Sequence, residues 1–243
     1  MRIIEGKNPI IEALKSDVNI EKIMINRDQA QGAVSKIIKL AKEKNIIIKY
    51  VDKNMLNKIS EKGRHQGVVA QAAEFEYKTI DDIFKIAQNR QEKPFIIILD
   101  EITDVHNLGA IIRTAECSGA HGVIIPKRRS AGVNQVVSKT SAGAVEYMPV
   151  ARVTNINNTI EELKKRGLWI FGADMTGEKY YFEENLNISL AIVIGSEGKG
   201  ISRLIKENCD TLIKIPMKGK ISSLNASCAA SIIIYEILRQ RGY

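Results

Sequence analysis

The sequence predicts an α/β protein in two parts: a small N-terminal α/β module and a larger C-terminal domain built on a mostly parallel sheet. Two observations carry this reading. From residue 93 onward, runs that are apolar throughout ("FIIIL", "GVII", "LAIVI") alternate with amphipathic stretches, the pattern of strands covered by helices on both faces. Before that point the elements are shorter and more polar, and a polar stretch separates the two parts. The boundaries read as 1–76 for the module, 77–92 for a linker and 93–243 for the larger domain. A chain of 243 residues that is 44% apolar can bury a core of this size.

The elements follow in order. "NPIIEALKS" opens a helix with Asn8 as N-cap and Pro9 at the first helical position. "IEKIMIN" is a strand. "AVSKIIKLAKEKN" has apolar residues at helical spacing. "IIIKYVD" is a strand, "KNMLNKIS" a short helix and "GVVAQAA" a closing strand. "YKTIDDIFKIAQNRQE" reads as a connecting helix plus linker. Beyond it, strands are predicted at "PFIIILD", "GVIIP", "LWIFGAD", "LAIVIG" and "TLIKIP", with helices over 108–119, 132–142, 155–166, 200–207 and 225–240. Ligands of such sheets bind outside the carboxyl ends of the strands, so the loops there are the place to look for chemistry.

Charge and cysteines narrow the class. Lys plus Arg exceed Asp plus Glu by 36 − 28, a net +8, which suits a polyanionic partner without requiring one. Residues 1–76 carry 14 basic against 10 acidic side chains and residues 77–243 carry 22 against 18, so the smaller part is about twice as basic per residue. Cys117, Cys209 and Cys228 are far apart and form no CxxC pair, which fits a reducing compartment and argues against structural zinc. "MRIIEGKNPIIEAL" lacks the apolar core of a signal peptide, and no run reaches the length of a membrane span; a cytoplasmic protein is expected.

Three loops gather polar and flexible residues. In "VHNLGAIIRTAECSGA" (105–120), Arg113 stands among apolar neighbours, either as a surface charge pairing Glu116 or as part of a site. In "IVIGSEGKGIS" (192–202), Gly195, Gly198 and Gly200 have the spacing G-x-x-G-x-G, which is neither the dinucleotide nor the P-loop pattern. Glu197 within it is a candidate partner for a cation. In "SSLNAS", Ser222, Ser223, Asn225 and Ser227 precede an apolar helix; one serves as its N-cap, and the others remain for a ligand. Two basic loops are either solvated turns or phosphate contacts: "EKGRHQG" (61–67) with Arg64, His65 and Gln66, and "PKRRS" (126–130) with Lys127, Arg128 and Arg129.

"DVHNLGAIIRTAECSGAHGVII", "VIGSEGKGIS" and "IPMKGKISSLNASCAASIIIYE" resemble, in order, the three motifs of the SpoU (TrmH-type) group of SPOUT methyltransferases, enzymes that use S-adenosylmethionine to methylate ribose 2′-hydroxyls of RNA. The likeness runs over roughly residues 93 to 243. "GKNPIIEAL" and "HQGVVA" resemble, more loosely, the RNA-binding module of the bacterial 23S rRNA guanosine-2′-O-methyltransferase branch. The resemblance implies a deep trefoil knot, where periodicity alone gives an ordinary open sheet, and a homodimer with its active site near the subunit interface. It places catalytic roles on Asn107, Arg113, Glu197, Ser223 and Asn225, and cofactor contacts at Gly195, Ile215, Met217 and Leu224. One departure is visible: Val105 stands where a Pro commonly precedes the His of the first motif.

An arginine with a pKa above about 12 makes a poor base, so Arg113 is expected to stabilise the developing oxyanion and to contact phosphate. Glu197 is expected to orient Arg113 or take the proton, with Asn107, Ser223 and Asn225 positioning the groups. His106 has no such role in the family pattern. The alternatives are a tRNA ribose methyltransferase, an rRNA adenosine methyltransferase and a non-catalytic RNA-binding protein. A dehydrogenase is disfavoured by the glycine spacing.

Overall fold

The computed structural model describes residues 2–16, 18, 20–27, 32–60, 64–73, 75–220 and 223–243. Its elements are β1 (Arg2–Glu5), α1 (Lys7–Lys15), β2 (Ile20–Asn26), α2 (Ala33–Glu43), β3 (Ile47–Val51), α3 (Lys53–Ile59) and β4 (Val68–Ala72). There follow α4 (Ile80–Arg90), β5 (Phe95–Leu99), α5 (Val105–Cys117), β6 (Gly122–Pro126), α6 (Gln135–Thr140) and β7 (Val150–Val153). The chain continues with α7 (Ile156–Lys165), β8 (Trp169–Ala173), β9 (Lys179–Tyr180), β10 (Leu190–Ile194), α8 (Arg203–Asn208), β11 (Thr211–Lys214) and α9 (Ala226–Gln240). It divides into two compact units, residues 1–76 with 133–147, and residues 77–132 with 148–243.

The first unit is a mixed four-stranded sheet of order β1-β4-β2-β3. One face buries Ile23, Ile25, Val68 and Ala70 against α1 and α2 through Ile10, Leu14, Val34 and Ile37; the other packs Met24 and Val69 on Leu56 of α3. Helix α1 begins two residues earlier than its cap signal suggests. Asn8 lies inside the helix, the N-cap is Gly6 at φ +93°, and Gln66 Oε1 accepts the Lys7 N–H at 3.1 Å. Pro9 is tolerated because its missing N–H falls among the four that a helix start leaves unpaired.

Segment 133–147 joins this unit through a buried ion pair. Arg2 Nη2 donates to both carboxylate oxygens of Glu146, at 2.7 and 2.8 Å, with side chains only 8% and 1% exposed, and the guanidinium lies over the Phe75 ring. Removing one partner strands a buried charge, so Glu146→Ala should lower the free energy of unfolding by about 3–5 kcal/mol. Chemical denaturation measures this; a change near zero would mean that water reaches Arg2.

The second unit holds a seven-stranded sheet, β7-β6-β5-β10-β8-β11-β9, in which every pairing is parallel. One face packs Ile96, Ile98, Ile124, Ala191 and Val193 against Ile83 of α4, Ile160 and Leu163 of α7 and Ile205 of α8. Residues 77–92, expected as a connecting helix plus linker, carry α4, whose Ile83 is fully buried in this core. Alternate residues such as Ile97, Leu99 and Ile192 point to the other face and are equally buried. Strands β7 and β9 were not legible as strands in the sequence; both lie at sheet edges, β9 is two residues long, and β7 carries the exposed Arg152. The chain order reverses between β5 and β10, which makes the carboxyl ends of these two strands the switch point where such sheets bind ligands.

Candidate active site

The loops expected to carry chemistry meet at that switch point. Asp104 caps α5 by accepting the His106 N–H at 2.7 Å, so the helix starts at Val105 and brings Asn107 into its first turn. Val105 occupies the first helical position, where proline is favoured but its ring is not required. At the end of β10, the chain from Gly195 to Gly200 folds back on itself, with the Gly200 N–H donating to Ser196 O at 2.8 Å. A Cβ at Gly195 would run into the backbone of Gly200 and Ile201, so glycine is required there. Asp100, buried at the end of β5, accepts the Ser202 N–H at 2.7 Å and ties this loop to the neighbouring strand.

Asn225 is the N-cap of α9. Its Oδ1 accepts from the N–H groups of Ser227 (2.9 Å) and Cys228 (3.3 Å) and from Ser227 Oγ (2.6 Å). Its Nδ2 donates to Asn107 Oδ1 at 3.0 Å and to Glu197 Oε1. Asn107 Nδ2 donates to the same Glu197 oxygen at 2.8 Å. The first turn of α5, the turn after β10 and the cap of α9 therefore contribute one residue each to a closed network. Two amides hold Glu197 Oε1, and Oε2 accepts no hydrogen bond among the described residues.

Beside this network lies a cavity of about 310 Å³, lined by Gly195, Glu197, Ile215, Met217, Ser223 and Leu224 and roofed by Ala226, Ala229 and Ile233 of α9. Asn107, Arg113 and Asn225 do not line it. Apolar walls, backbone from two turns and the fixed carboxylates of Glu197 and Asp174 suit a nucleoside-sized ligand carrying a cationic centre.

Arg113 departs from expectation. It is exposed, forms no hydrogen bond or ion pair among the described residues, and stands six residues along α5 from Asn107, about 120° around the helix. Glu197 does not orient it; the partners of Glu197 are the two asparagines. The neighbouring Thr114 instead shares a 3.1 Å hydrogen bond with Ser231, joining α5 to α9.

His65 requires a correction as an RNA-contacting residue. It is 5% exposed, its Nδ1 accepts the Gly67 N–H at 3.0 Å, and its Nε2 contacts Asn57 Oδ1 at 2.9 Å, so both ring nitrogens are engaged. Burial holds its pKa below the ordinary histidine value. It shapes the turn, while Arg64 remains exposed. Glu61, Lys62 and Gly63 of that loop, and Ser222, lie outside the described residues. Lys127 and Arg128 are exposed in the second unit.

Sequence reasoning missed the wall formed by Ala173, Asp174 and Met175 after β8. Asp174 pairs with Lys206 Nζ at 2.6 Å and accepts from Thr176 Oγ1 at 2.6 Å. Burial raises its pKa, but these hydrogen bonds outweigh burial and hold it below the usual carboxylate range. Only the exposed end of an apolar strand marked the segment in the sequence.

The model of the SpoU rRNA methylase family matches residues 94–235, and a model described as RNA 2′-O ribose methyltransferase substrate binding matches residues 3–78. The chain belongs to the SpoU methylase family. Among its relatives, a Bacillus subtilis (strain 168) protein named for the TrmH family of tRNA/rRNA methyltransferases, YacO, is 50% identical over 97% of this chain and 94% of its own length. A protein of Staphylococcus saprophyticus named for the same family is 47% identical over 99% and 96%. The crystal structure of the SpoU methyltransferase AviRb from Streptomyces viridochromogenes, solved in complex with AdoMet, superposes with a TM-score of 0.84 at 25% identity, covering 98% of this chain and 89% of that one. This SpoU-family chain is thus an S-adenosylmethionine-dependent RNA methyltransferase. Among its described residues no helix is long and apolar enough to cross a membrane.

Proposed function

We propose that this enzyme methylates the ribose 2′-hydroxyl of a guanosine in 23S ribosomal RNA or its precursor, and that it works as a homodimer in the cytoplasm. The observation that supports catalysis best is the network of Asn107, Glu197 and Asn225 beside the apolar cavity. S-adenosylmethionine supplies an electrophilic methyl on a positively charged sulfur. Gly195, Ile215, Met217 and Leu224 would hold it, with Ser223 at the cavity wall. Glu197, held by two amide N–H groups through Oε1, keeps Oε2 open to accept the proton of the attacking hydroxyl. The new O–CH₃ bond then forms as the S–CH₃ bond breaks, and positioning provides much of the rate.

Arg113 stabilises the oxygen as it loses its proton. Its outward direction on α5 fits a dimer in which one protomer's Arg113 reaches the partner's site, since a closed two-fold dimer repeats each contact reciprocally. The trefoil knot belongs to the same reading; the insertion of β10 between β5 and β8 is compatible with it.

Residues 1–76 serve in this reading as the RNA-binding module, with Arg64 among its contacts. Deleting the module is a poor test, because it would leave Glu146 without Arg2. Mapping 2′-O-methylation on ribosomal and transfer RNA from cells with and without the gene is the direct one. Loss of one mark on a 23S guanosine is expected. A lost tRNA or adenosine mark would move the assignment to that substrate, and no lost mark would leave a non-catalytic RNA-binding protein.

A further inference from the structure

We infer that the loop after β6 is a second anchoring point for the RNA backbone, a phosphate track running from the cavity along the carboxyl edge of the sheet. The inference rests on the RNA-methylating reading above and adds where the strand lies.

Three consecutive cations, Lys127, Arg128 and Arg129, are exposed on this loop, and Arg152 of β7 stands beside them. The loop is built rather than slack. The Lys127 N–H donates to Val153 O at 2.8 Å, Arg152 Nη2 donates to Lys127 O at 3.1 Å, and Ala131 N–H and Ser130 Oγ donate to Ile102 O at 2.8 and 3.3 Å. Arg152 also lies over the Tyr77 ring, 5.3 Å from its centroid. Arg129 is held at φ +57°, a left-handed conformation that non-glycine residues seldom keep without a surrounding reason.

These cations are poorly neutralised. The side chains of Lys127 and Arg128 have no hydrogen-bond or ion-pair partner among the described residues. Arg129 has a single 3.3 Å contact with Glu101, and its side chain remains 83% exposed. Asp100, at the end of the neighbouring β5, is buried and accepts the Ser202 N–H, and Asp104 is engaged as the cap of α5. A rigid loop presenting unpaired cations holds self-repelling charge that a polyanion would relieve.

Position supplies the direction. The loop follows β6, which neighbours β5, which neighbours β10 and its Gly195 turn. Two strand spacings separate the basic loop from the Gly195 turn at the near wall of the cavity, roughly 10 Å, the reach of the next nucleotides beyond a ribose placed at Glu197. The Asn107 loop lies between them on the same edge. Phosphates crossing β5 would meet Arg128 and Arg129 with no reading of bases, because such contacts set register and not sequence.

The test compares the wild-type protein with Lys127→Gln/Arg128→Gln/Arg129→Gln, using a single-stranded RNA oligonucleotide of mixed sequence titrated over a range of KCl concentrations. Each lost phosphate contact lowers the slope of log affinity against log salt by about 0.7, so the triple variant should lose about 2. Its S-adenosylmethionine affinity, read by calorimetry, and its melting temperature should match wild type. Lys165→Gln, an exposed lysine of α7, should leave the slope almost unchanged. An unchanged slope in the triple variant overturns the inference, as does an equal loss in the Lys165 control. Binding of poly-L-glutamate with the same strength and the same dependence on the three cations also overturns it, in favour of an acidic protein partner. If the triple variant loses slope while the wild type methylates no RNA, the track stands and the enzymatic reading fails; normal methylation with an unchanged slope separates them the other way.

Discussion

Arg113→Ala should reduce methyl transfer by about 10²–10³-fold, the usual loss when one donor to a developing oxyanion is removed. S-adenosylmethionine should bind the variant as it binds wild type, because Arg113 does not line the cavity and makes no bond to the residues that do. Calorimetry and single-turnover methylation separate the two quantities, and normal turnover would sink the assignment of this residue. The direction of Arg113 adds a sharper form. Arg113→Ala and Glu197→Gln should each be strongly impaired alone, yet mixing the two variants should restore activity if the protein is a dimer in which each site draws its arginine from the partner. A mixture as inactive as its parents would return Arg113 to its own protomer's site or to a contact with the RNA.

Gly195→Ala is the second large effect. The new Cβ meets backbone atoms of Gly200 and Ile201, which cannot rotate away as a side chain would. Overpacking of this kind costs about 1–3 kcal/mol, and the loop must open to relieve it. Since 1.4 kcal/mol is a factor of ten, the dissociation constant for S-adenosylmethionine should rise about tenfold or more. Gly198→Ala is the matched control: nothing lies within 4 Å of its Cβ position, so the thermal stability of the free protein should not change. Equal melting temperatures for both variants would mean that the turn tolerates a side chain at Gly195.

Much of the fold could be read from the chain because the parallel strands are continuous apolar runs, and β5 and β10 show that pattern without interruption. Helix α4 was read as a connector because its outer face is strongly polar, and only a narrow stripe, Ile80, Ile83, Phe84 and Ala87, attaches it to the core. The cavity residues were legible through ordered motifs. The bonds among them were not: Asn107 is 90 residues from Glu197 and 118 from Asn225, and no local pattern reports a hydrogen bond across such separations. The same limit concealed Asp174, whose partner Lys206 lies on α8, whereas His65 is held by near neighbours, Asn57 and Gly67, in a Gly-flanked loop that reads equally well as an open turn.

The cap of α9 has a consequence for biosynthesis. Asn225 fastens Asn107 and Glu197 together, and α9 roofs the cavity, so the network cannot close until α9 has left the ribosome. At about 5–20 residues per second, the 118 residues between the two asparagines take roughly 6–24 s to be made. Throughout that interval Glu197, or the chain that will carry it, lacks its clamp. The nascent chain therefore carries an unclamped carboxylate from the moment Glu197 emerges until α9 has formed its cap.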